Sequence, residues 1–164
     1  LKLKFALVFC AAAVAFADNG SSVRWETIAG VITAAGTDNP VAGISAGAGP
    51  WTTTRGKARI DLNNGAAFFE VDGLVLNGGN STGTPGAIAN VAGTFICNPG
   101  APNQVVRDTP AVPLSATGDA FFNGTIGGMP PTCANPLFLI RVVPATGSPT
   151  RWIATGAVRS SDGN

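Results

Sequence analysis

The strongest constraint on how this 164-residue chain can fold is a reversal written around Asn63-Asn64-Gly65. From Thr52 to Leu62, Lys57, Arg59 and Asp61 alternate with Ala58, Ile60 and Leu62. From Ala66 to Leu76, Ala67, Phe69 and Val71 alternate with Phe68, Glu70 and Asp72. A period of two is that of a strand with one wet and one buried face. Asn-Gly between two such runs predicts a β-hairpin, closed by a type I′ turn whose two central residues need positive φ.

The rest of the chain extends the same pattern. Further strands are predicted from Val23 to Thr33, Ile88 to Cys97, Gln104 to Arg107, Asp119 to Ile126, Leu137 to Val143 and Arg151 to Val158. Each is rich in β-branched or aromatic residues and bounded by turn formers such as Asn98-Pro99-Gly100. The Gly/Ala/Pro stretch from Ala34 to Pro50 reads as a loop. Only 12% of residues are charged, whereas Gly (22) and Pro (12) are abundant, which disfavours a helical bundle. The apolar share of 45% disfavours a disordered chain. The expected fold is all-β, an antiparallel sandwich or barrel-like domain with Gly/Pro-rich loops. Phe68, Phe69, Phe95, Phe121, Phe122 and Phe138 are the expected aromatic core.

Residues 1–17 have the form of a secretory signal peptide. Lys2 and Lys4 precede an apolar run from Phe5 to Ala17, and Ala15 and Ala17 are small where a signal peptidase reads. The run is shorter than the roughly 20 residues a membrane span needs. Cleavage is expected before Asp18, leaving residues 18–164 as one all-β domain with no membrane span. Cys10 is lost with the leader. Cys97 and Cys133 then remain as an even pair in an exported chain, which predicts a disulfide.

Chemistry-bearing residues are sparse. Histidine and tyrosine are absent, which removes the side chain best suited to proton transfer near neutral pH. Gly43-Ile44-Ser45-Ala46-Gly47 has the spacing of a nucleophile elbow, but Ser45 has no histidine base and sits in a predicted loop. Glu70 and Asp72 point to one face of a strand and are the candidate carboxylate pair for glycoside hydrolysis. Asp61 opens a segment like a calcium loop, but Ala66 and Asp72 stand where glycine and glutamate are required. No metal, cofactor or catalytic residue is therefore expected. Trp25, Trp51 and Trp152 are the candidate platform for stacking a glycan, although such tryptophans more commonly close the ends of a β core. Asn19, Asn80 and Asn123 each open an N-x-S/T sequon, which marks surface positions. A net charge of +1 without a basic block excludes nucleic acid as the expected partner. The segment from Val23 to Thr33, with only Arg24 and Glu26 as charges, is the expected edge for self-association.

The runs Gly73-Leu74-Val75-Leu76-Asn77-Gly78-Gly79-Asn80, Asp108-Thr109-Pro110-Ala111-Val112-Pro113-Leu114-Ser115, Phe138-Leu139-Ile140-Arg141 and Arg151-Trp152-Ile153-Ala154 resemble exported bacterial β-rich proteins of unassigned function. The resemblance covers roughly Trp51 to Arg159. It implies export and a β fold, and it carries no site residues with it. The functional expectation is a secreted or cell-surface domain, non-catalytic, that binds or builds structure. The alternatives are a filament subunit joined by strand edges and a carboxylate-based glycosidase.

Overall fold

A computed structural model describes residues 21–33 and 37–161. The expected signal peptide, its expected cleavage before Asp18 and the Asn19 sequon lie outside the described residues. Within them the chain is all-β, with no helix. Thirteen strands run in the order β1 Ser22–Trp25, β2 Ile28–Gly30, β3 Trp51–Thr52, β4 Arg55–Asp61, β5 Ala66–Asp72, β6 Val75–Leu76 and β7 Asn90–Cys97. They continue as β8 Val105–Asp108, β9 Val112–Pro113, β10 Ala120–Thr125, β11 Leu137–Val142, β12 Trp152–Gly156 and β13 Arg159–Ser161.

Two larger antiparallel sheets carry the fold. The first has the order β10-β5-β4-β1-β13, and the second β2-β12-β11-β7-β8 with β9 also on β7. The β3–β6 pair forms a small third sheet. The hairpin β4–β5 is the spine of the first sheet. Alternation buries Ala58 and Ile60 on β4 and Ala67, Phe69 and Val71 on β5, and turns their neighbours outward. The two large sheets meet across those inward rows. Phe69 of the first packs on Phe138 of the second at 5.8 Å, and Trp25 contacts both Phe95 and Phe138 at 5.9 and 5.8 Å.

The sheets are joined on one side by strands that change layer. Trp25 and Ile28 are both buried, one in each sheet, so the chain crosses at Glu26-Thr27. The segment from Gly156 to Arg159 crosses beside it in the opposite direction. Glu26 N donates to Val158 O at 2.7 Å, and Ala157 N to Thr27 O at 2.8 Å. On the other side β10 and β8 end the sheets without pairing to each other, so the structure does not close into a barrel.

Four expectations are corrected here. The stretch from Val23 to Thr33 is two strands in two sheets, because Trp25 and Ile28 each need to face the core. β1 is paired on both sides, by β4 and β13. Beside β2, which ends its sheet, Thr53 Oγ1 donates to Ile28 O, and just past the strand Trp51 N donates to Val31 O. The hairpin turn is also longer than a type I′ turn. Ile60 pairs with Ala67, leaving Leu62 to Gly65 as the loop, and only Gly65 has positive φ there, at 73°. Side chains make up the difference. Asp61 Oδ1 accepts from Asn63 N and Asn64 Oδ1 from Ala66 N, so the Asp61 and Asn64 side chains cap a wider turn. Phe68 and Phe121 are not core. Each lies on the outward register of its strand, and Phe121 is 56% exposed. Finally, β9 and β13 form where no strand was expected, since prolines and a short polar run hide them.

Candidate functional site

The outer face of the first sheet collects residues from five distant places in the chain. Register sets them in one line. Asn123 stands opposite Phe68, Phe68 opposite Arg59, Arg59 opposite Arg24, and Arg24 opposite Ser160. In an antiparallel pair, directly opposite residues share a face and lie about 4.5–5.5 Å apart at Cα. The row therefore crosses all five strands, about 19 Å, as amide, ring, two guanidinium groups and hydroxyl. A cleft of about 340 Å³ opens over it, lined by Arg24, Glu26, Lys57, Arg59 and Phe68 among others.

The rows above it neutralise themselves. Lys57 Nζ lies 3.7 Å from Glu70 Oε1 and 5.5 Å over the Phe68 ring. Phe121 meets Phe68 edge-on at 5.6 Å. Arg55 Nε pairs with Asp72, and that partner raises the Arg55 pKa further above its ordinary value. Arg59 is exposed and makes no hydrogen bond or ion pair with a described residue. Arg24 is already partnered. Among the described residues Arg59 thus stands without a hydrogen-bond or ion-pair partner, between Phe68 and Arg24.

At the top of the same face a polar turn leads into β10. Ser115 and Thr117 hydroxyls donate to Asp119 Oδ2, at 3.1 and 2.6 Å, and Gly73 N donates to Asp119 Oδ1 at 3.0 Å. The Thr117 hydroxyl, then the Gly73 amide, hold the Asp119 carboxyl below its ordinary range. These bonds orient β10 on β5, which places Phe121 and Asn123 on the outer face.

The expected site residues fall differently. Trp25, Trp51 and Trp152 are buried, at 2%, 5% and 4% exposure, so they offer no stacking platform. Trp25 belongs to the inter-sheet core, and Trp152 donates its indole N–H to Asn39 O at 3.0 Å. Trp51 borders a separate apolar cleft of about 300 Å³ with Leu76, Ile88, Val142 and Ile153. These rings head or end strands whose inner face is apolar, and the core takes them. Glu70 and Asp72 do share the outer face, but each faces a cation and both side chains are about one-third exposed, at 34% and 30%. Ser45 donates to Asp38 Oδ2 at 2.8 Å, and that hydroxyl holds the Asp38 carboxyl low. Ser45 therefore ties down its loop, which does not enter a helix. Among the described residues no group of three His, Cys, Asp or Glu side chains is placed to hold a metal.

Cys97 and Cys133 are bonded, with Cα atoms 4.9 Å apart. The bridge ties the end of β7 to the segment before β11, beside the Asn98 N to Ala134 O hydrogen bond of 3.0 Å. A disulfide is compatible with an oxidising compartment.

Arg59, Phe68, Arg24, Asn123 and Ser160 were not expected as a site. Alternation along β4 already turned Arg59 outward, and that signal was legible, whereas Phe68 was expected in the core although it alternates with Phe69. The neighbours supplied by β1, β10 and β13 depend on strand order. Comparison with family models, curated proteins and solved structures finds no match.

Proposed function

We propose that this protein is an exported, non-catalytic binding module that works at the cell surface or in the surrounding matrix through the outer face of its first sheet. The observation that carries the reading is the Phe68–Phe121 pair. Both rings stand on the solvent side of a rigid, disulfide-stapled β scaffold, and one is more than half exposed. Exposed rings flanked by charge are what binding surfaces offer and what inert surfaces avoid. The leader-like residues 1–17 and the disulfide support export.

The test is capture by a panel of polysaccharides, neutral and acidic, comparing the protein with a Phe68→Ala/Phe121→Ala variant. Capture that the variant loses supports the reading. Capture that the variant retains moves the site elsewhere, and no capture by any member removes this reading. Release of reducing ends that Glu70→Gln abolishes would replace it with the glycosidase alternative.

A further inference from the structure

We infer that Asn77 is a site of spontaneous deamidation, converted to aspartate and isoaspartate through a cyclic imide, and that the fold singles it out from the other asparagines that precede glycine. The only co-reactant is water. The backbone nitrogen of Gly78 attacks Cγ of Asn77. The N–Cγ bond forms, the Cγ–Nδ2 bond breaks, and Nδ2 leaves as ammonia with the proton that the Gly78 amide gives up. Water then opens the imide at either carbonyl. Opening at Cγ leaves aspartate, and opening at the main-chain carbonyl leaves isoaspartate, whose backbone runs through the side chain. No oxidant or reductant takes part. Glycine suits the attacking position because it has no Cβ to crowd the ring and turns freely.

Among the described residues three asparagines precede glycine, Asn64, Asn77 and Asn123, and all three are exposed. Access to water therefore does not separate them, and the amide that follows each one does. Gly65 N donates to Asp61 O at 2.8 Å, and the Asn64 side chain is itself held, its Oδ1 accepting from Ala66 N. Gly124 lies in β10 opposite Ala67. Ile126 N donates to Gly65 O at 2.9 Å, and in an antiparallel pair the exchanged bonds recur at every second residue, so Gly124 N donates to Ala67 O. Gly78 instead sits in a bend after β6, and its N–H donates to no described residue. The Asn77 side-chain amide likewise makes no hydrogen bond with a described residue, while Asn77 N donates to Pro50 O at 2.9 Å. At Asn77 alone, then, the nucleophile and the carbon it attacks are both free of hydrogen bonds to described residues. At Asn64 and Asn123 the chain must first open locally, which costs free energy. Asn77 directly follows Leu76, which pairs with Trp51, so isoaspartate would lengthen the main chain at the end of the β3–β6 pair.

The experiment incubates the purified, disulfide-bonded protein at mildly alkaline pH, folded in buffer and unfolded in urea. Digestion at acid pH then releases the three Asn–Gly peptides, and chromatography with mass spectrometry separates asparagine, aspartate and isoaspartate in each. In the folded protein Asn77 is expected to convert at least about tenfold faster than Asn64 and Asn123, a ratio equivalent to about 1.4 kcal/mol of local opening. Its rate is expected to rise with pH, since the deprotonated amide is the nucleophile. In urea the three rates are expected to converge, because each asparagine has glycine next to it and no fold remains. Asn77→Gln, whose longer side chain closes a less favourable ring, is expected to abolish conversion there and leave the other two unchanged. Asn64 or Asn123 converting as fast as Asn77 in the folded protein overturns the inference. So does an Asn77 that converts in urea but not in the folded chain. A lead for Asn77 that persists undiminished in urea assigns the selectivity to local sequence and overturns the role of the fold.

Discussion

Gly156 shows how one missing carbon sets the approach of the two sheets. A Cβ there would lie 2.3 Å from Trp25 Cδ1 and 2.5 Å from Cγ, at the point where both chains change layer. Trp25 cannot yield, because its ring is fixed between Phe95 and Phe138. Gly156→Ala is expected to cost about 1–3 kcal/mol by overpacking. Gly127→Ala, where nothing lies within 4 Å, is expected to stay within about 0.5 kcal/mol. Urea denaturation of the two variants checks the contrast, and equal midpoints would contradict it. Asp119 makes a second prediction at this scale. Its folded pKa lies below the ordinary 3.8 because Thr117, Gly73 and Ser115 donate to the carboxylate. A depressed carboxyl contributes stability that is complete above its unfolded value and is lost as pH falls through the folded one. Thermal melts from roughly pH 6 down to pH 2 are expected to show an acid loss that Asp119→Asn diminishes. An unchanged acid limb in that variant would show that the turn carries no linkage. The first effect was not legible in the sequence, since Trp25 lies far along the chain from Gly156; of the donors to Asp119, Ser115 and Thr117 are local and only Gly73 is distant.

At the scale of elements, periodicity carried most of the information. β4, β5, β7, β8, β10, β11 and β12 fall inside or nearly inside the runs marked by alternation and by Asn, Gly and Pro boundaries. β7 was legible for a different reason. Every residue from Val91 to Cys97 is buried, so its sequence is apolar apart from Thr94, whose hydroxyl donates to Asp108 Oδ1. β9 and β13 were illegible because two or three residues hold no period, and pairing alone makes them strands. The disulfide was legible as arithmetic, with two cysteines left once the expected leader is set aside. Its energetic role follows from the 36-residue separation of Cys97 and Cys133. Closing a loop of that length restricts the unfolded chain by about 3–4 kcal/mol. Cys97→Ser/Cys133→Ser is expected to lower stability by that order, and the same shift is expected when the native protein is reduced. Denaturation with and without reductant measures both. A loss well under about 1 kcal/mol would mean that the β7 end and the segment near Ala134 hold together unaided.

The whole molecule is governed by pairings between distant segments. Val23 stands opposite Ser161 and Trp25 opposite Arg159, so the first and last described strands are neighbours in one sheet. Such closures have a high entropic cost before any contact forms, and a fold of this kind is expected to refold in milliseconds to seconds. Stopped-flow tryptophan fluorescence measures it, aided by Trp25, Trp51 and Trp152 in buried positions. Refolding complete within microseconds would contradict the topology. The sequence by itself determined the all-β class, the position of most strands, the hairpin and the cysteine pair, because these follow from local period, local turn chemistry and composition. It also determined which side chains of β4 face water and that Glu70 and Asp72 of β5 do, but not that Phe68 does. Tertiary structure alone decided that the stretch after Val23 splits between two sheets, that the three tryptophans are core, and that Phe121 lies beside Phe68. It alone set Arg59 between Phe68 and Arg24. The reason is physical: alternation fixes which face a residue takes along its own strand, whereas its lateral neighbours are fixed by strand order and register, which the whole core must satisfy at once.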